Sequence, residues 1–320
     1  MDSVTNGELD DVMKLIQAAK DLGADAVKIQ AYTPDEMTID KPYEDFIVKE
    51  SPWRHEHLYD LYKKTYTPLE WLPGLFGFAS TLNISIFASV FGEQSLAALE
   101  AVNCPAYKIA SFELNDTNLI RMVAEKGKPM VLSTGVATSE EIRRALRITE
   151  DHQGGVEKTI LMHCISKYPA KLSSTEMSKV INYIRYYDLP VGFSDHTINS
   201  KAAQIAITLG ATVIEKHLCI NTKSEDGSFS CLPYEFSGYV QDCSDTLKAL
   251  EIKDEEPDRQ FKRSLYVVKG IKVGEQFTKE NIRSIRPGYG LDPDKLTDII
   301  GTRASCDLPA GTALKEEHTK

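Results

Sequence analysis

Short apolar runs rich in β-branched residues recur along this chain, each preceded by a stretch with helical periodicity. From Glu8 to Leu22, the residues Val12, Met13, Ile16 and Ala19 fall at helical spacing, Gly23 marks the stop, and AVKIQAY follows as a strand. The alternation then repeats. Helices are predicted around Leu58 to Tyr66, from Leu69 to Thr81, over EQSLAALEAV, from about Asp116 to Lys126, from Ser139 to Thr149 and from Ser173 to Tyr187. Strands are predicted at 26–31, 84–88, 107–110, 130–133, 159–164, 190–193 and 212–215, and each strand run ends in polar residues.

Strands alternating with helices imply a parallel sheet in an α/β protein, either doubly wound or closed into a (β/α)8 TIM barrel. No G-x-G-x-x-G follows an early strand, which removes the main sequence support for a dinucleotide-binding fold. Polar residues at nearly every strand end fit a site drawn from all around one rim, as barrels build it. Seven strands leave the barrel one short. The chain starts almost directly in a helix, so the eighth strand is expected to precede Met1.

From about Glu251 the pattern changes. KDEEPDRQ is charged and contains proline, and SLYVVKGIKVGEQFT then alternates short β-rich runs with glycine turns. The expected division is a barrel domain over 1–250, a linker over 251–262 and a small β-rich domain over 263–320. A module of about 60 residues is near the lower limit for an independent core, so it is expected to lean on a partner.

Composition narrows the partners. With 320 residues, 42% of them hydrophobic and 26% charged, the chain suits a globular protein with a large core. A net charge of −10 and a pI near 5.3 argue against a nucleic-acid or anionic-membrane surface and favour small molecules. The six cysteines form no C-x-x-C pair, which reads as a reducing cytoplasm. No apolar run approaches the ~18 residues of a membrane span, and no signal peptide is recognisable.

The stretch Leu189 to His217 carries the sharpest chemistry. LPVGFSDHT, a helix-like NSKAAQIAITLG and ATVIEKH make one βαβ unit, whose strand runs end in Ser194-Asp195-His196 and Glu215-Lys216-His217. His196 and His217 therefore share one rim. Two imidazoles beside carboxylates read either as ligands for a divalent cation or as structural histidines hydrogen-bonded within a loop layer, and spacing leaves both open.

GADAVKIQAYTPDEMTID, YKIASFE, PMVLSTG, HCISKYP, VGFSDHT, IEKH and RSLYVVKGIKVGEQFTKENIRSIRPGYGL, taken in order, resemble the sialic acid synthase family, and within it the pseudaminic acid branch most. The tail resembles its antifreeze-like (SAF) domain. The resemblance implies condensation of phosphoenolpyruvate (PEP) with an amino-sugar, a divalent metal (Mn²⁺ or Mg²⁺) at His196 and His217, and a homodimer in which the SAF domain contacts the partner barrel. It gives Lys28 and Lys108 to PEP. Ser89, Ser111, Ser133, Ser166 and Ser194 at strand ends can complete a phosphate cradle, although a single serine reads equally as a turn or cap; Ser133-Thr134-Gly135 ahead of a helix favours an anion more strongly. Glu113, Glu215 and Asp226 occupy the acidic positions, Tyr168 a position lining the sugar pocket, and Arg286 the place of a tail arginine that reaches a partner's site.

The chain also departs from that pattern. The first strand with its glutamate is missing, Ser3 to Gly7 keeps only Asn-Gly of the following turn, and Ala88 to Gly92 lacks a proline and a polar residue, which is expected to loosen that loop. Lys167 and Lys171 add positive charge at the rim. A non-catalytic relative that binds the sugar is the alternative from another class, and a metal-dependent hydrolase is weaker because no strand carries H-x-H.

Overall fold

The computed structural model describes residues 8–49, 53–220, 226–251 and 258–320 and divides the chain into two compact units after Glu251. The Ser3 to Gly7 turn and residues 252–257 of the expected linker lie outside the described residues. The first unit runs α1 (Leu9–Asp21), β1 (Ala26–Ala31), α2 (Pro34–Met37), α3 (Leu58–Thr65), α4 (Leu72–Thr81), β2 (Ser85–Val90), α5 (Glu93–Ala101), β3 (Tyr107–Ile109), α6 (Thr117–Ala124), β4 (Met130–Ser133), α7 (Ser139–Gln153), β5 (Thr159–Cys164), α8 (Ser178–Tyr187), β6 (Val191–Asp195), α9 (Lys201–Thr208), β7 (Val213–Lys216) and α10 (Pro233–Leu250).

All seven strands pair in sequence order and in parallel. Paired residues lie on the same face of a sheet, so the register can be followed across it. Gln30 pairs with Ser89, Ser89 with Lys108, Cys164 with Ser194, and Ser194 with Glu215, which collects polar side chains on one face. The alternate residues Val27, Ile29, Ile86, Ala88, Tyr107, Ile109, Met130, Leu132, Val191 and Phe193 form the other face and are buried in the core with Leu15 and Ile16 of α1, Leu72 and Leu75 of α4 and Ile120 of α6.

The sheet curls. A flat seven-stranded sheet would hold β1 and β7 roughly 29 Å apart, at about 4.8 Å per strand. Instead Lys28 Nζ on β1 lies 3.5 Å from Glu215 Oε2 on β7. The seven strands therefore wrap into an incomplete barrel with the polar face inward, as the alternating pattern predicts with one strand absent.

Local signals account for most boundaries. Asp116 caps α6 by accepting from the Asn118 and Leu119 amides at 3.0 Å each, and Thr138 with Glu141 closes a reciprocal cap on α7. The helix α7 outruns its expected end at Thr149 and stops at Gly154, whose φ of +83° suits glycine. α8 starts five residues late because Glu176 is left-handed. No element was expected between 218 and 250, yet α10 fills most of that stretch. Its buried side chains include just Phe236 and Tyr239, so its periodicity is faint, although Pro233 in the first turn and Glu235, which accepts from the Leu232 amide at 2.9 Å, are N-terminal signals.

The second unit pairs β8 (Ser264–Val267) with β9 (Ile282–Ile285) in antiparallel fashion and adds α11 (Leu296–Ile299). Bridges from Ile271 to Leu308 and from Tyr266 to Ala313 tie its turns around a core of Leu265, Val267, Ile271, Phe277, Ile282, Leu308 and Leu314. Among the described residues, no helix is long and apolar enough to cross a membrane.

One packing constraint inside the barrel is testable. A Cβ at Gly192 would meet the Val213 carbonyl oxygen at 2.9 Å and Met162 Cε at 3.0 Å, and a backbone atom cannot swing aside. Gly192→Ala should destabilise the first unit by about 1–3 kcal/mol. Urea denaturation followed by circular dichroism checks this, and an unchanged midpoint would contradict the close approach of β6 and β7.

Candidate active site

The inward face opens at the carboxyl ends of the strands into a cavity of about 450 Å³, lined by residues of all seven strands or the loops that follow them. This is the end at which parallel α/β barrels gather functional side chains, because the loops there can vary without disturbing the sheet. Lys28, Ser89, Lys108, Ser111, Glu113, Ser133, Ser166, Tyr168, Ser194, His196, Glu215, His217 and Asp226 all line it. Arg286 is exposed after β9 in the second unit.

Glu215 sits at the centre of the charge. Its carboxylate accepts from the Lys108 ammonium and from Ser194 Oγ at 2.7 Å, with Lys28 Nζ 3.5 Å away. Burial pushes this carboxyl up, but Lys108 and Lys28 outweigh that and hold it well below the usual carboxylate range. The two lysines, both buried, face one carboxylate. Two buried ammoniums in the wall of one cavity suit an incoming anion.

A hydroxyl cluster adjoins it. Ser111 Oγ and Ser166 Oγ are 2.7 Å apart, and a Cβ at Gly135 would lie 2.3 Å from Ser166 Oγ, 2.7 Å from Cys164 Sγ and 3.2 Å from Ser111 Oγ. Gly135 thus lets the β4–α7 backbone approach these side chains. Ser133 Oγ is buried with no hydrogen-bond partner among the described residues. An orphaned buried hydroxyl in the same cavity as two lysines is a donor held ready for a ligand oxygen. Ser89 is buried one strand from Lys108.

The two histidines meet with ring centroids 5.3 Å apart. His196 Nδ1 lies 2.8 Å from the Ile165 carbonyl, which can only accept, so the proton is on Nδ1 and Nε2 carries a lone pair. Ser194 Oγ, 3.3 Å from Nε2, gives its proton to Glu215. Burial lowers the His196 pKa to about 4, so the ring is neutral at physiological pH. His217 Nδ1 stands 3.8 Å from Asp226 Oδ2. A neutral imidazole with an inward lone pair beside a second imidazole offers two nitrogen donors of the kind that a divalent cation takes. Among the described residues no group of three or more His, Cys, Asp and Glu side chains forms a ligand set, so such a cation would take further ligands from water or substrate oxygens.

Aromatic side chains form the outer wall. Tyr168 lies over His196 with centroids 4.2 Å apart, Phe229 touches Tyr168 and His217, and Trp53 meets Phe229 edge-on. Tyr32, Tyr62 and Phe91 extend this apolar side. Of this wall the sequence pointed only to Tyr168, through the family resemblance, because the other members come from separate loops and from α3. The expected loosening at Ala88 to Gly92 meets an opposing contact: Glu36 accepts from the Ser95 amide at 3.0 Å and packs where a Gly92 Cβ would be.

Comparison with known proteins agrees with this geometry. Residues 15–255 match the NeuB family and residues 262–318 match the SAF domain. The chain is 39% identical to the pseudaminic acid synthase of Campylobacter jejuni subsp. jejuni serotype O:23/36 (strain 81-176), covering 97% of this chain and 92% of that protein. It is 38% identical to the pseudaminic acid synthase of Helicobacter pylori (strain ATCC 700392 / 26695), over 98% and 94%. Among solved structures, an N-acetylneuraminic acid (sialic acid) synthetase from Leptospira borgpetersenii serovar Hardjo-bovis in complex with citrate superimposes with a TM-score of 0.69 at 26% identity, covering 79% of this chain and 83% of that one.

Glu113 supplies a pH test. Its Oε2 is enclosed without a hydrogen-bond partner among the described residues, and burial, with Asp116 adding, raises the carboxyl from near 4.5 to about 7. Between those values the folded protein holds a proton that the unfolded chain has released, so this group's contribution to stability falls as pH rises through the window. Glu113→Gln should remove that dependence. Denaturation midpoints of the two proteins should diverge in the mutant's favour between pH 4.5 and 7.5, and parallel pH profiles would disprove the shift.

Proposed function

The chain belongs to the NeuB family, and on that footing we propose that it is a nonulosonic acid synthase. It joins PEP to an open-chain amino-sugar and releases phosphate. The acceptor we assign is 2,4-diacetamido-2,4,6-trideoxy-altrose, which makes the product pseudaminic acid. N-acetylneuraminate and legionaminate synthesis are the competing specificities. The observation that carries the reading is the cluster of Lys28, Lys108 and Glu215 in one cavity with an orphaned Ser133 hydroxyl and with His196 and His217.

PEP brings a phosphate and a carboxylate, and the two lysine ammoniums balance that density of charge while Ser111, Ser133 and Ser166 offer hydroxyl donors. A divalent metal bound by His196 and His217, Mn²⁺ or Mg²⁺, would supply Lewis acidity toward the sugar aldehyde. Carbon 3 of PEP attacks that aldehyde, and positive charge develops at carbon 2. Glu215, held ionised by its lysines, lies where an anion favours that charge. Water then adds at carbon 2, and phosphate leaves with C–O cleavage. Glu113, with a pKa near 7, can hold or release a proton at neutral pH, and Asp226 is in reach of His217. Tyr168 and the aromatic wall receive the apolar parts of the sugar. The setting is cytoplasmic, in keeping with a PEP donor and free thiols.

PEP labelled with ¹⁸O at its bridging oxygen should deliver the label to inorganic phosphate when the altrose acceptor is present, with lower kcat/KM for N-acetylmannosamine or the legionaminate precursor. Charge-assisted contacts of this type contribute about 1.5–3 kcal/mol, so Lys108→Met should raise the KM for PEP roughly tenfold or more. Label retained in the nine-carbon product would reject the reaction, and an unchanged KM would remove Lys108 from the PEP site.

The assembly we propose is a homodimer in which the SAF domain of one copy reaches the barrel of the other. Exposed apolar residues lie on the segments between strands and the next long helix, Phe112 at the cavity and Ile39, Val136, Leu172, Ile198 and Ile220 elsewhere on those segments. Such residues are poor ones to leave in water and good ones to cover. Arg286 would then serve the acceptor in trans. Mixing an Arg286→Ala chain with a Glu113→Ala chain, each inactive alone, should restore activity to a fraction of the mixed dimers. No recovery in a demonstrated mixed dimer would refute a shared site.

A further inference from the structure

Behind the inward face, β6 and β7 share a second polar pair. Asp195 and Lys216 are partners in the strand register, one step out of phase with Ser194 and Glu215, so they point to the outer side, which is mainly apolar apart from Thr159 and His163 of β5. Their side chains are 0% and 2% exposed. Burying an ammonium and a carboxylate there costs more than burying two aliphatic side chains, so the pair calls for a role that a leucine could not fill.

The contacts show what the pair holds. The Lys216 ammonium donates to the Asp195 carbonyl at 3.3 Å and also to the Thr197 carbonyl, and these are the backbone oxygens on either side of His196. Lys216 is itself the residue before His217. The Asp195 carboxylate accepts from the Thr197 amide at 2.8 Å through Oδ1 and from the Tyr239 hydroxyl at 2.8 Å through Oδ2, with Lys216 Nζ 3.8 Å away. Tyr239 is buried on α10, and its ring lies 5.3 Å from the same ammonium. One lysine thus ties the chain at the second histidine to the backbone bracketing the first, and the helix outside the barrel anchors the arrangement.

We propose that Asp195, Lys216 and Tyr239 form a buried clamp that sets the distance and orientation of His196 and His217, and so the affinity of the site for a divalent cation. They are positioning residues, since none of them lines the cavity. β7 ends the sheet order and carries His217 just beyond its last residue, where the Cys231 amide donates to the His217 carbonyl at 2.9 Å, so the cross-links to β6 and α10 add a side-chain hold to that backbone contact. The inference rests on the reading of the two histidines as a metal site.

The test is calorimetric titration of the full chain with MnCl₂, beside PEP titration and thermal melting. Tyr239→Phe removes one hydroxyl and keeps the ring, and Lys216→Met removes the ammonium. Outer ligand-orienting contacts are commonly worth about tenfold to a hundredfold in metal affinity, so each variant should weaken Mn²⁺ binding roughly tenfold or more while PEP affinity stays within about twofold. A role confined to stability would lower the melting temperature and leave the Mn²⁺ affinity unchanged. Wild-type Mn²⁺ affinity in folded Tyr239→Phe overturns the clamp, even if Lys216→Met fails to fold. His217→Ala separates the two readings: if it binds Mn²⁺ like the wild type, or the wild type binds none, the metal reading falls and the clamp falls with it.

Discussion

Glu215 meeting Lys28 and Lys108 is the contact on which the barrel depends. It joins the first and last strands in the sheet order through side chains, and it does so with buried charges. Separating the partners would strand an ion in a low-dielectric interior, which costs several kcal/mol. The interaction therefore favours the curled sheet over a flat one. It also sets two buried ammoniums in the cavity wall, so the group that helps to shape the wall also presents cations to the cavity.

The division of labour follows from the two-residue period of strands. Inward positions of β1 to β7 carry Lys28, Gln30, Ser89, Lys108, Ser133, Ser194 and Glu215, whereas outward positions are mainly apolar and packed under helices. Stability is drawn mainly from the outer face and chemistry from the inner one. Asp195 and Lys216, like Thr159 and His163 of β5, are polar exceptions on that side, and this charged pair adjoins the two histidines in sequence. Such a violation of pattern is costly, and it occurs where geometry matters most.

Within the cavity, opposite properties are kept apart. The lysines and hydroxyls come from the strands and the turns just after them, the imidazoles lie at the ends of β6 and the chain after β7, and the aromatic wall is supplied by loops and α3. A substrate pair with one dianionic member and one carrying methyl-bearing groups is matched by that separation. Neutral His196, ionised Glu215 and a Glu113 poised near pH 7 differ because each has different neighbours. Lysines stabilise one carboxylate, while enclosure with little compensation raises the other.

The order of elements, the parallel sheet, the seven strands and the change of character near residue 251 were legible in the sequence, because strand and helix periods, glycine stops and caps are local properties. So were the strand-end lysines, serines and histidines, since polar residues closing apolar runs are visible without coordinates. The helix α10 was not, because one weakly amphipathic face leaves little periodic signal. Nor were the aromatic wall, the hydroxyl cluster around Gly135, or the bond between β1 and β7. Those contacts join residues tens to nearly two hundred positions apart, and their distances are set by how far the sheet curls. Sequence determined which side chains face inward. Tertiary structure decided which of them meet, and therefore which carry charge, which are neutral and which are left waiting for a partner.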